Sequence, residues 1–435
     1  MDICGSPEPG TGRRGMTEKS KAFGELTLAY TDKLTWCWDD EDSGGKHWVS
    51  FWQPVAPEGF KVLGTVAIPA WGSANLNPGT PNEKIKDHVV AMVVKETPGV
   101  PSATGKPPLA SPTDYEKVWK DSGTGTKYKG MIWRPIPPKG YVAMGCVTPK
   151  DSYDKPPLDA VVCVREDLTF GSNAKWLYSD AGAGGKEDLS VWRNVVPPSY
   201  VDNTDGRTRA LIAPNTFAAH NAYNQPQWLP EMRVLCLPMP VEEPVRSPYP
   251  ELTDHSQPAS KTPEVPANAV WVPFTAITDT AKSTPWKLEN SPFYKLERKA
   301  AWSLVRHLNN NTQIVQKVTE AVTLGVEKEQ VSSFTAAVGV AFTATAGVSS
   351  GFASAEVSTT YSLELGFGTS TGLKEIESRQ VTKELSAPPG TAAAVWVGSS
   401  TIQVVRADNT RVGPPVTFKG ETDHYDQYPD TAPSS

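Results

Sequence analysis

Six histidines (His47, His88, His220, His255, His307 and His424) are scattered along the chain, and none stands at a metal-ligand or acid–base spacing from Asp, Glu or Cys. HExxH, GxSxG and Walker A patterns are absent. The five cysteines form no CxxC pair, and Cys146, Cys163 and Cys236 lie in apolar, strand-like runs that read as buried free thiols. The DDED run at 39–42 offers carboxylates, but its spacing does not fit a calcium loop, and it reads as a solvated acidic turn. GTSTG at 368–372 lacks the lysine a phosphate cradle needs. The expectation is a protein that is not an enzyme and uses no metal or cofactor.

The residues whose types and spacing could act are at 334–367, and the chemistry is that of an interface between lipid and water. From 334 to 348 the even positions hold Phe334, Val338, Val340, Phe342 and Val348, with alanines between. The odd positions hold Thr335, Thr343 and Thr345 among Gly and Ala. After SSG at 349–351, and Phe352, the parity reverses: Val357, Tyr361 and Leu363 are odd, while Glu356, Ser358 and Glu364 are even. Two amphipathic strands joined at a short turn are therefore expected. Each exceeds the roughly 9–11 residues that a tilted strand needs to cross a bilayer. A lone hairpin in lipid leaves its edge N–H and C=O groups unpaired, so several copies must close into a barrel. The apolar set would face lipid and the Thr, Ser and Glu set would line the lumen, with Glu356 and Glu364 favouring cations. The competing expectation is an ordinary long hairpin lying on a neighbouring sheet.

Such a hairpin must be carried by a soluble fold. The chain has 435 residues, enough for two or three domains, and its 40 Pro and 34 Gly favour short strands and turns. A net charge of −6 argues against nucleic acid as a partner. The N-terminus has no apolar core of a signal peptide, and no run of 18 apolar residues exists. The expectation is a soluble protein, cytoplasmic in its producer or released without a classical signal.

The first half repeats. A Trp-x-Pro-x-x-Pro-x-Gly phrase occurs at Trp52 and again at Trp133, each fourteen residues after an earlier tryptophan (Trp38, Trp119) and a Gly-rich stretch. A degraded third copy runs from Trp176 to Trp192, a spacing of sixteen, with Asn194 and Ser199 in place of Pro and Gly. Three β units that cannot bury their faces alone predict three sheets around one axis: a β-prism, or next a trefoil or small propeller. The prolines and glycine mark a turn, and the tryptophan before them is expected to pack around the axis. The loops DSGG, DSGTG and DAGAGG recur at one end of each unit. Asp42, Gly44, Asp121, Gly123, Asp180 and Gly182 are the candidate contacts to a receptor or glycan, against the plainer reading of simple turns.

FWQPVAPEGFKVLG and KPPLDAVVCVREDLT (155–169) resemble the vacuolar protein sorting-associated protein 62 family over roughly 20–240, which informs fold more than function. The second half, roughly 270–420, resembles the aerolysin family and its epsilon-toxin and mosquitocidal-toxin branch. NSPFYKLER, the NNNT turn, the alternating hairpin and LSAPPGTAAAVWV carry that likeness. It implies a soluble monomer that binds a cell, forms a homo-oligomer on the membrane and inserts one hairpin per protomer. The chain departs from many members in having no Lys or Arg through 331–367.

The whole is expected to be all-β: a disordered 1–20, a pseudo-threefold head at 21–240, a Pro-rich linker at 241–268, an elongated pore-forming domain at 269–420 and a disordered tail at 421–435. Within it, 293–308 is open to helix or strand. The expected function is a β-pore-forming toxin or defence protein whose partners are a receptor or glycan and target-membrane lipid. The alternative is a non-lytic glycan-binding or trafficking-related protein whose second half is a scaffold.

Overall fold

A computed structural model describes residues 19–69, 89–197, 209–242, 247–326, 328–339, 341–343, 347–353, 358–363 and 378–429. Among these the fold is nearly all β, with α-helices only at Thr284–Asn290 and Lys328–Val338.

The three sequence repeats are three structural repeats, and each divides its strands between an inner and an outer sheet. The inner sheets are Leu34–Asp39/Val49–Pro54/Val66–Pro69, then Asp114–Lys120/Met131–Ile136, then Asn173–Ser179/Ser190–Val195/Phe217–His220. In the second repeat, a Trp133–Val147 bridge stands where the others have a third strand. The outer sheets centre on Ala91–Glu96, Cys163–Arg165 and Arg233–Pro238. The threefold expectation therefore holds, with six sheets instead of three.

Register makes the equivalences explicit. Each inner hairpin slips once at the same place, between Trp36/Trp38, Ile132/Trp133 and Trp176/Tyr178. Trp38, Trp119 and Tyr178 are therefore equivalent. Trp176, expected to match Trp38, instead matches Trp36 and Lys117, and the spacing of sixteen becomes fourteen once Tyr178 is the start. The axis is filled by Trp38, Trp119, Tyr178, Phe51, Ile132, Val191 and Phe217. Trp38 meets Trp119 at 5.5 Å and Phe51 meets Phe217 at 4.9 Å. The tryptophans before the prolines do not reach this core: Trp52 packs with Trp36 and Val66, Trp133 with Tyr115 and Val147. Period-2 alternation is the cause, because neighbours on a strand face opposite ways. The Pro-Gly corners are turns as expected, with Phe60 N–H donating to Pro57 O at 3.0 Å and Tyr141 N–H to Pro138 O at 3.1 Å. Gly59 and Gly140 adopt φ of 77° and 88° there. Cys37, Cys146 and Cys163 are buried free thiols, and Cys236 is buried as well.

The second half is built on a five-stranded antiparallel sheet: Val241–Glu242, Val265–Pro273, Phe293–Asn309, Ala392–Val405 and Arg411–Tyr428. Phe293–Asn309 settles as a 17-residue strand, roughly 55 Å long at ~3.3 Å per residue. Residues 421–428, expected as disordered tail, are the end of the last strand, where 423–428 pair with 392–397. The Pro-rich stretch does not behave as a free linker where it is described. Leu304 N–H donates to Ser260 O, and Thr262 N–H to Trp302 O, both at 2.9 Å, so 247–264 is a strap tied to the sheet. Head and tail share one core, with Tyr30 against Phe274 at 5.3 Å and Phe23 against Phe293 at 6.0 Å.

Candidate functional site

The proposed membrane segment does not fold as one hairpin. Its first residues lie in the helix Lys328–Val338, which ends at Gly339, φ 74°, whose N–H donates to Thr335 O at 2.8 Å. Phe334 and Val338 are fully buried against Val412, Val416 and Phe418. The helix lies close on the last strand, where a Cβ on Gly413 would come 2.8 Å from Val338 Cγ1. A continuous strand at 334–348 is thus corrected. Val331, Phe334 and Val338 also satisfy a helical repeat, and the small alanines made period 2 look more exclusive than it is.

Three short strands follow: Ala341–Thr343, Gly347–Ala353 and Ser358–Leu363. SSG at 349–351, expected as a turn, lies inside the second of them, with Gly351 opposite Thr360. Phe342 and Thr343 fall in the first strand, Val348 and Phe352 in the second, and Ser358, Tyr361 and Leu363 in the third. Val340, Thr345, Glu356, Val357 and Glu364 lie outside the described residues. The third strand pairs antiparallel with Arg209–Ile212, through Ala210–Tyr361, Leu211–Thr360 and Ile212–Thr359. The segment therefore extends the outer sheet of the third head repeat.

The segment is flanked by Gln316–Leu324 and Arg379–Ala387, which pair with each other from Gln316–Ala387 to Leu324–Arg379 without a slip. Val322, Leu324, Leu385 and Ala387 are buried against Val395, Val397 and Ala393. The opposite face, Lys317, Thr319, Thr323, Gln380, Thr382, Glu384 and Ser386, is exposed. This small hairpin is the root from which the segment leaves and to which it returns.

In the head, the three Gly-rich loops close into a ring. Lys46 N–H donates to Ala181 O at 3.3 Å, Lys127 N–H to Glu41 O at 3.2 Å, and Lys186 N–H to Ser122 O at 2.8 Å. Each bond joins equivalent positions of successive repeats. Asp40, Asp121 and Asp180 are buried and accept from the backbone N–H of Val49, Gly130 and Leu189 at 3.0, 2.7 and 2.8 Å. The candidate contacts therefore mix two positions. Asp121 and Asp180 match Asp40 and serve their own loops. Asp42, with φ 67°, matches Gly123 and Gly182, and these three are exposed. Gly44 is exposed as well. The acidic turn is not solvated as expected: Asp39 and Asp40 are 4% and 2% exposed. Burial, the largest cause, pushes the Asp40 carboxyl up to about 7, against the Val49 N–H that lowers it.

Around the ring the seams between repeats are closed by side chains at equivalent places. Trp36 meets Tyr128 at 4.8 Å, Lys117 pairs with Glu187 at 2.5 Å, and Trp176 meets His47 at 4.9 Å. The last seam differs in leaving Trp176 (40%) and the adjacent Trp48 (50%) exposed. Reading the sequence did not single out His47, Trp48 and Trp176 as a group, because only the register places repeat three beside repeat one. Among the described residues no group of His, Cys, Asp and Glu is arranged to hold a metal. No helix among the described residues is long and apolar enough to cross a membrane.

Two family models match the chain. Residues 79–241 match the vacuolar protein sorting-associated protein 62 model, and residues 267–429 match the model described as insecticidal crystal toxin, P42. The second match supports a toxin-like role. No curated protein matches. Among solved structures, GNIP1Aa from Chromobacterium piscinae superposes with a TM-score of 0.36 and 23% identity, over 48% of this chain and 35% of its own. The chain thus spans about a third of that protein's length. Cry35Ab1 superposes with a TM-score of 0.31 and 9% identity, over 94% of this chain and 91% of its own. The oligomeric pore-forming toxin pro-Monalysin gives 0.19 and 9%, over 42% and 76%. These superpositions are loose. The matched boundaries divide the chain at the strap, so that the 334–363 segment and its root lie inside the toxin match and the loop ring lies largely inside the other.

Proposed function

We propose that this protein is a β-pore-forming toxin: the head binds a cell-surface receptor or glycan, copies assemble on the target membrane, and each inserts the segment around 334–363. The observation that carries this is the segment's placement. It is an alternating sequence without Lys or Arg within the toxin-like region, folded against the protein as a helix and edge strands, and hung from a hairpin whose outer face is Ser/Thr-rich. A sheet edge is exposed hydrogen-bonding capacity that soluble proteins usually cover, and strands added at an edge can leave it without breaking the sheet beneath. The description of the matched family makes insect cells the first target to test.

For the head, the seam of His47 and Trp176, with Trp176 and Trp48 exposed, supports glycan binding. Aromatic faces stack on sugar rings while carboxylates and free backbone groups take the hydroxyls. The test is release of a small dye from insect-cell membrane vesicles. Wild type should release it, and Trp176→Ala should bind those vesicles less well while keeping its fold by circular dichroism. Tight binding without release on every susceptible membrane would favour a non-lytic glycan-binding protein.

A further inference from the structure

The root hairpin fixes a register, and that register can be continued. Gln316 faces Ala387 and Leu324 faces Arg379, each step inward advancing one strand and withdrawing the other by one residue. Continued through the intervening chain, it sets Ala341 opposite Ser362, Phe342 opposite Tyr361, Thr343 opposite Thr360 and Ser350 opposite Ala353. The two strands then meet at Gly351–Phe352, beside the SSG stretch. No choice of alignment enters this result. It also puts the apolar even positions of the outgoing strand beside the apolar odd positions of the return, and Thr beside Thr and Ser. The apolar face continues the buried face of the root, and the hydroxyl-rich face continues its exposed Ser/Thr face.

The folded protein uses another register. Thr360 faces Gly351, not Thr343, and Phe352 faces Thr359. The two registers differ by an even number of residues, so both keep the same faces together, and a period-2 sequence satisfies either. The helix Lys328–Val338 is bracketed by Gly325 (φ 82°) and Gly339 (φ 74°). Both occupy the left-handed region and can return to extended backbone without steric cost.

We propose that the segment is a two-register switch: on the membrane, the helix extends and the strands re-zip from the root to a tip at Gly351–Phe352. The change requires Ser358–Leu363 to leave Arg209–Ile212, so the head's third repeat is the lock on the hairpin. This deepens the pore-forming reading and rests on it. The register was set by the root strands and the sequence between them, and the lock by the pairing with Leu211.

Two cysteine pairs that share one residue test it in the full chain. Gly351→Cys/Thr360→Cys joins neighbours of the folded register. Thr343→Cys/Thr360→Cys joins residues two strands apart in the fold and offset along them, at least ~10 Å at ~4.8 Å per strand, which a disulfide cannot span. The first pair should oxidise in solution, abolish dye release and leave membrane binding intact, with release restored by reductant. The second should stay reduced in solution and cross-link on membranes. The proposal is overturned if the oxidised first pair releases dye as well as its reduced form, or if the second pair never cross-links in membrane-bound protein. Cross-linking is read by gel, independently of leakage. Leakage without the second cross-link therefore sinks the register and spares the pore, and failure of wild type to leak sinks the pore.

Discussion

Asp40 sits where one loop of the head turns under its neighbour, its Oδ1 held by the Val49 N–H at 3.0 Å. Its folded carboxyl is raised to about 7, so the unfolded chain ionises first as pH rises from the ordinary carboxylate range. The sign is therefore destabilising: the penalty is absent at pH 3, grows through pH 4–7 and is complete above about 7. Asp40→Asn retains the accepting oxygen and removes the charge. It should stabilise the protein by about 1–2 kcal/mol at pH 8 and by nothing at pH 3, measured by tryptophan-monitored urea unfolding. A second buried charge sits in the tail. Arg406 donates to both oxygens of Asp279 at 2.8 and 2.9 Å, and Tyr294 donates to the same carboxylate at 2.7 Å. Burial pushes the Asp279 carboxyl up, but these donors outweigh it and hold it below its usual range. Arg406→Met should cost about 3–5 kcal/mol, since it strands a buried carboxylate, and the same unfolding experiment measures it. Neither residue was legible in the sequence. Asp40 looked like part of an acidic surface run, and Asp279 and Arg406 meet across more than a hundred positions.

At the scale of elements, repeats were readable and registers were not. The Trp-to-Trp spacing and the Pro-Gly corner announced three units because both are local. Which aromatic reaches the axis depends on one bulge per hairpin, at Cys37, Val118 and Leu177, and a bulge leaves no compositional trace. The helix Lys328–Val338 was missed for a different reason. Its alanines fit either period, and the apolar surface of the last strand decided the outcome. Phe334→Ala should cost about 3–5 kcal/mol and loosen the helix, seen as faster hydrogen exchange at 328–339. The strap carries its own pH response. Burial is the largest cause lowering the His307 imidazole, opposed by Asp254 and aided by His255. Below pH 6.5 the unfolded chain gains a proton at His307 more readily than the folded one, so stability declines as acid is added. Limited proteolysis within 247–264 should be faster at pH 5 than at pH 7.5, and His307→Gln should reduce the difference.

For the whole molecule, the shared core at Phe23, Tyr30, Phe274 and Phe293 makes head and tail one mechanical body. The pairing of Arg209–Ile212 with Ser358–Leu363 adds a second link that joins the head to the segment proposed to insert. A head clamped by its receptor can thus bias the segment without any contact between ligand and hairpin, provided the two registers differ in how they use that edge. Single copies cannot satisfy the edge hydrogen bonds of an inserted hairpin, so the proposed pore would require a closed ring of protomers. Electron microscopy of the protein on insect-cell membranes tests this most directly. The account predicts rings of identical subunits around a central opening, formed by wild type and absent when the Gly351→Cys/Thr360→Cys pair is oxidised. Protein that covers susceptible membranes as dispersed single copies, with no rings at any density, would contradict it.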